Sequence, residues 1–198
     1  AKESNYTVHA TVGKLTVTEN QTQIVVTTTG GEFVYDGTAH GATVEVSALP
    51  EGYTLEAATS RATATDVTAE DVTASCDTLV IKNAAGVDVT SKLKIKYVDG
   101  TIKVTPAELT ITTNSASKVY DGTALKAAGE ITGFVNGETA TFTVTGSQTE
   151  VAVSDNTYKL VWDKTAKESN YIVNATVGKL TVTENQTEIT VTTTGGEF

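Results

Sequence analysis

The sequence predicts an all-β protein of tandem β-sandwich modules, and three observations carry that prediction. The first is composition: 40 Thr and 25 Val make up about a third of the 198 residues. Branching at Cβ restricts χ1 in a helix but packs well on a pleated surface, so this bias favours strands. The second is periodicity, because apolar residues alternate with polar ones in short runs bounded by Gly, Asp and Asn. The third is internal repetition, which divides the length into units of ordinary domain size.

Residues 1–33 return at 166–198 with four differences: Thr7/Ile172, His9/Asn174, Gln23/Glu188 and Val25/Thr190. One period therefore ends just before Ala166, and the chain is expected to be a piece of a longer tandem array. A start methionine, a charged-then-apolar leader and a sorting tail are all missing from this stretch. Within the period, Val-Tyr-Asp-Gly-Thr-Ala occurs at 34–39 and again at 119–124. Each copy follows a Thr-rich strand pattern, Ile24 to Thr29 or Leu109 to Thr113. Four parts are expected: 1–23, the closing hairpin of a preceding module; 24–106, module A; 107–188, module B; and 189–198, the first strand of the next module A.

The elements follow in order. In 92–104, Leu93, Ile95 and Tyr97 share one face and Lys92, Lys94 and Lys96 the other. Asp99-Gly100 then predicts a hairpin leading to Ile102 and Val104. In 131–144 the same design is expected around Asn136-Gly137, with Ala140, Phe142 and Val144 facing inward. In 157–164, Tyr158, Leu160 and Trp162 fall on one side, which assigns the single tryptophan to the core. The Ala-rich stretch 56–64 is expected to be extended, because its threonines weaken a helix. Pro106-Ala107-Glu108 and Glu184 to Glu188 are short junctions, so the modules should form a semi-rigid rod.

Charge and composition exclude several classes. The net charge is −10, spread over both halves, so a polyanion such as nucleic acid is repelled. No apolar run approaches the roughly 20 residues that span a bilayer. One cysteine, Cys76, makes no intrachain disulfide and is expected to be a small buried residue in a strand. Catalysis needs a base beside a nucleophile or a poised carboxylate pair. The two histidines do not supply it: His9 is Asn174 in the other copy, and His40 corresponds to Leu125 in the second unit. The chain is therefore expected not to be an enzyme and to use no cofactor. Asp66, Glu70, Asp71 and Asp77 crowd together without the spacing of a calcium loop, so no metal site is expected. The lysine stripe with Lys103 is read as a solvated face that discourages edge association.

Tyr35-Asp36-Gly37 and Tyr120-Asp121-Gly122 are expected to be structural: a tyrosine anchoring the core, then an aspartate and glycine making a turn. Tyr53, in the loop pattern Pro-Glu-Gly-Tyr, is the candidate for an exposed ligand contact. Lys118 with Asn170 or Asn174 is a candidate for a self-formed isopeptide bond joining the ends of module B.

The order of Thr-rich strand, Val-Tyr-Asp-Gly-Thr-Ala, middle Gly-Phe-Val-Asn-Gly-Glu or Ala-Leu-Pro-Glu-Gly-Tyr, and closing Gly-x-[Ile/Leu]-x-Val-Thr resembles the YDG and MBG-type repeats of bacterial surface proteins. The resemblance implies an immunoglobulin-like or related β fold, arrayed in stalks of cell-wall-anchored, adhesin-like proteins outside the cell. It transfers no catalytic residue. The leading expectation is a structural spacer whose partners are neighbouring repeats of its own chain. The alternatives are a module binding a glycan or host protein, and an accessory domain of an extracellular polysaccharide enzyme. Strand exchange between molecules is also expected: residues 1–18 of one chain replace 166–183 of another, or 1–23 stay mobile.

Overall fold

The computed structural model describes residues 7, 9–16, 18 and 22–196. It is all-β. Ten strands precede Pro106: β1 (Gln23–Thr29), β2 (Gly31–Val34), β3 (His40–Gly41), β4 (Thr43–Val46), β5 (Tyr53–Thr59), β6 (Thr63–Ala64), β7 (Val72–Ala74), β8 (Thr78–Asn83), β9 (Lys94–Val98) and β10 (Gly100–Thr105). Eight follow: β11 (Ala107–Thr113), β12 (Ala116–Val119), β13 (Gly129–Thr132), β14 (Ala140–Val144), β15 (Ala152–Asp155), β16 (Tyr158–Trp162), β17 (Tyr171–Thr176) and β18 (Lys179–Thr183). Helical structure among the described residues is confined to 3-10 turns such as Thr90–Lys92 and Glu168–Asn170.

The ladders keep to their own side of Pro106. Before it the sheets run β4-β1-β9 and β2-β10-β7, with pairs β3-β6 and β5-β8; after it they run β13-β11-β17 and β12-β18-β15, with the pair β14-β16. The opening strands of the halves are equivalent: β2 recurs as β12, at the same offset that separates the two Tyr-Asp-Gly motifs. The alternation of the sequence is what buries them. Ile24, Val26 and Thr28 of β1 point inward, and so do Leu109, Ile111 and Thr113 of β11. Asn156 is a buried polar exception whose Nδ2 donates to the carbonyls of Asn114 at 2.9 Å and Ala127 at 3.2 Å.

The hairpin expected at Asp99-Gly100 is not formed. β9 runs parallel to β1, and β10 runs parallel to β2 in a different sheet. The chain crosses between sheets at Asp99, because both strands bury against amino-terminal partners rather than each other. Gly100 is required for close approach: a Cβ there would strike the carbonyl of Thr28, and one at Gly178 would meet the backbone of Thr113 and Asn114. β17 and β18 likewise belong to separate sheets, parallel to β11 and β12. Asn136-Gly137 does make a left-handed turn, with φ of 50° and 72°. The strands on either side of it, however, pair with β11 and β16.

Other expectations meet the structure in detail. The 56–64 stretch is extended in β5 and β6. Cys76 lies between β7 and β8 rather than in a strand, half-buried, and its thiol donates to the Thr78 carbonyl at 3.3 Å. Burial pushes that thiol's pKa up. The segment 1–23 falls largely outside the described residues; residues 9–16 carry no strand and are exposed. Residues 189–196 are described, carry no strand, and leave Ile189 87% and Val191 81% exposed, where their copies Ile24 and Val26 are fully buried.

One residue separates β10 from β11, and across it the inward face changes parity. Ile102 and Val104 point in before Pro106, and Ala107 and Leu109 point in after it. All four belong to one buried cluster with Tyr35 and Tyr171, so the core continues through the junction. A second cluster, Ile24, Val26 and Ile81, fills the far part of the first half.

The glycine contact gives a test. Gly178→Ala must displace backbone atoms in a packed region, and overpacking of this kind costs about 1–3 kcal/mol. Urea denaturation is expected to show that loss, whereas Val153→Ala on the exposed face of β15 should change stability by less than about 0.5 kcal/mol.

Candidate functional site

The two Tyr-Asp-Gly motifs begin from the same local geometry. Tyr35 N donates to the Thr105 carbonyl and Tyr120 N to the Thr183 carbonyl, each at 2.8 Å, so each tyrosine is tied to the end of its half's last strand. Asp36 Oδ1 accepts from Thr38 N at 2.8 Å and Thr38 Oγ1 at 2.7 Å; Asp121 Oδ1 accepts from Thr123 at 2.9 and 2.8 Å. Gly37 and Gly122 take φ of 75° and 79°, which a side chain would resist. These hydrogen bonds favour the carboxylate, and both aspartates are held below the usual range, Asp121 first of all by Lys118. The same Asp-x-Thr turn closes at Asp88-Thr90 and Asp163-Thr165.

Beyond that turn the two motifs diverge. Tyr120 stays half-buried, while Tyr35 is 4% exposed and reaches across the junction. Its hydroxyl donates to Glu138 Oε1 at 2.5 Å, and the Tyr171 hydroxyl donates to Glu138 Oε2 at 2.5 Å. One carboxylate thus holds a phenol from each half. Glu138 is placed by the Asn136-Gly137 turn, which closes through Glu138 N to the Val135 carbonyl at 2.9 Å. Asn136 Nδ2 also crosses, donating to the Gly37 carbonyl at 3.2 Å.

A second polar tie lies alongside. Asn170, 1% exposed at the end of its 3-10 turn, accepts from Val67 N at 2.9 Å and donates to Asp66 Oδ1 at 2.8 Å. Lys167 Nζ meets Asp66 Oδ2 at 2.6 Å. Lys167, then Asn170, lowers the Asp66 pKa. Apolar packing completes the junction: Tyr35 meets Tyr171 edge-on at 5.6 Å, Phe134 does so at 5.4 Å, and Trp162 stacks on Tyr171 at 5.7 Å. A cleft of about 300 Å³ opens beside it, lined by Tyr35, Asp66, Glu138, Lys164, Lys167 and Asn170 among others.

The other singled-out residues lie elsewhere. Tyr53 is not at an exposed loop tip: it opens β5 and packs half-buried against the Ile24, Val26 and Ile81 cluster. Lys118 Nζ is turned to Asp121 Oδ1 at 2.6 Å, to Thr123 Oγ1 at 2.7 Å and to the Thr123 carbonyl. Asn174 sits in β17 opposite Thr110, and Asn170 is engaged with Asp66, so the three occupy separate places. Asp77 accepts from Arg61 N at 2.6 Å. His40 stacks on Phe33 at 4.1 Å and meets Asp36 at 3.1 Å. Asp66 was weighed only as part of a metal cluster, and the roles of Glu138 and Asp66 in the seam were missed by sequence reasoning. For Glu138 the available signal was the divergence of Gly-Phe-Val-Asn-Gly-Glu from Ala-Leu-Pro-Glu-Gly-Tyr, which puts a carboxylate at the last position in only one of the two.

These observations define an all-β protein whose strands before and after Pro106 meet in a packed, hydrogen-bonded seam. Residues 109–181 match the family model of the MBG domain (YGX type), consistent with an MBG/YDG-type repeat over that stretch. No curated protein and no solved structure matches the chain.

Two measurements probe the seam. Tyr171→Phe keeps the ring but removes both the hydrogen bond to the Glu138 carboxylate and the acceptor of Val135 N at 3.3 Å, a loss of at least about 1.5–3 kcal/mol. Tyr35→Phe should act similarly, and because both bond to Glu138 the double variant should lose measurably less or more than the sum. Burial, then Glu138, raises the Tyr171 pKa from 10.0 to about 12. Between those values the unfolded chain loses a proton that the folded chain keeps, so stability should fall as pH rises from 10 to 12. The urea midpoint of the parent chain should drop over that window, and that of Tyr171→Phe should drop less.

Proposed function

We propose that the chain is a stalk or spacer unit of a secreted, adhesin-like bacterial surface protein, extending a distal binding region from the cell wall. In this reading residues 24–106 and 107–188 are two immunoglobulin-like β-sandwich modules of an elongated rod, continued by like modules on both sides. The observation that carries it is the seam itself. One residue joins two strands, the core runs through, and Glu138 ties both halves, so the units resist bending relative to each other.

The ladders support a mechanical role. In each half the first two strands run parallel to the last two, β1 with β9 and β2 with β10, then β11 with β17 and β12 with β18. Tension on the two ends of such a half shears its ladders, loading many hydrogen bonds together instead of one at a time. Resistance to force is a rate property, set by the barrier to unfolding. The MBG-type match over 109–181 supports a repeat of surface proteins. The glycan-binding alternative leaned on Tyr53, and the packing of that ring against the core removes its main support.

Small-angle scattering tests the rod. The chain should give an elongated particle, and Glu138→Ala should broaden its distance distribution by loosening the seam. A compact globule would sink the proposal.

A further inference from the structure

The seam around Pro106 is one docking geometry, and both of its surfaces occur a second time, open among the described residues. The surface that receives Tyr35 is built from Glu138 and from Ala166 to Tyr171. Its counterpart in the first half follows from register: β1 pairs Ile24 with Ile95, and β11 pairs Leu109 with Val173. Since Ile24 and Leu109 are equivalent, Leu93 stands in the place of Tyr171, and the 3-10 turn Thr90–Lys92 in that of Glu168–Asn170. This counterpart carries an open cleft of about 510 Å³, lined by Asp88, Thr90, Ser91, Leu93, Ile95 and Tyr97, with Tyr97 50% exposed.

The donating surface recurs too. Tyr120 stands in the place of Tyr35, with the same hydrogen bond to the last strand. Beside it is a cleft of about 430 Å³ lined by Tyr120, Val151, Glu184, Asn185, Thr187 and Ile189. Val151 is 47% and Ile189 87% exposed. From Gln186 onward the chain repeats 21–33, so in the tandem-array reading a further copy of the first half leads off this surface. Ala107 corresponds to Thr22, whose copy is Thr187; Glu184 to Gln186 therefore replace Pro106, which adds about 7 Å of reach.

We infer that the Tyr120 cleft is the docking surface for the next copy of residues 23–105, which seats its Asp88 to Tyr97 face there. The inference rests on the tandem-array reading above. The chemistry of this second seam differs from the first. Tyr53 replaces Glu138, Leu93 replaces Tyr171 and Lys92 replaces Asn170. No carboxylate bridges two phenols there. Leu93 and Tyr97 instead face Tyr120 and Val151, and the exposed Lys92 faces a cleft that holds Glu184. The array would then alternate polar and apolar seams, fixed by continuity with the internal one.

The test uses the full chain and the full chain extended in frame by a second copy of residues 34–198. Nuclear magnetic resonance follows the Val151 methyls and the Tyr120 ring, neither of which lies in the newly completed strand. Both sets of signals should shift on extension. Tyr97→Asp in the added copy alone should return them to their original positions, and its half-exposed site leaves folding intact. Lys92→Glu in the added copy should return them in part. Unshifted signals in an elongated particle would overturn the docking and spare the stalk. Shifted signals in a compact particle would overturn the stalk and keep the docking.

Discussion

The structure turns on the fact that Pro106 joins two central strands. β10 is the middle of its three-stranded sheet and β11 the middle of the next half's sheet. Neither can move without disturbing ladders on both of its edges, so the one-residue link inherits the stiffness of two sheets. The buried cluster records this physically, since residues from both strands occupy it together with the two tyrosines that meet Glu138. Proline suits the position because it fixes φ and gives up a backbone donor that no ladder uses there. The polar ties then add direction to the packing. Burying Asn170 is tolerable because its side chain bonds to both Val67 and Asp66.

The two Tyr-Asp-Gly motifs show how one local device serves two contexts. The aspartate and the threonine two positions on satisfy each other, so the turn forms regardless of surroundings. What surrounds the tyrosine decides the rest. Tyr35 finds a carboxylate and an aromatic cluster; Tyr120 finds a cleft ending in exposed apolar side chains. The turn is thus the constant part of the repeat, and the receiving surface is the variable part.

Much of this was legible in the sequence. The return of the opening segment at Ala166, the second Tyr-Asp-Gly motif and the alternation of 157–164 identified units and strands, because each can be read from residues adjacent in the chain. The strand partners were not legible. Asp99-Gly100 has the composition of a hairpin turn, yet the strands beside it answer to β1 and β2, at the opposite end of the same half. Non-local burial overruled a local preference. Glu138 was invisible for the same reason: its partners Tyr35 and Tyr171 lie 103 and 33 residues away. Tyr53 read as a loop residue because of the preceding Pro-Glu-Gly, whereas its own position is the first of a strand that covers the core. Nothing local announces that the amides of Asn156 and Asn170 will be buried against backbone groups from distant loops.

The change of inward parity across Pro106 carries an evolutionary consequence. A single residue inserted or deleted there would turn Leu109 and Ile111 out to solvent and present Glu108 and Thr110 to the core. The connection can therefore lengthen only in steps of two. The stretch after β18 obeys this rule, with three residues in the place of one. Drift in the spacing of such repeats is quantised by the pleat of the strand, and seams of different length can coexist in one chain only when they differ by an even number.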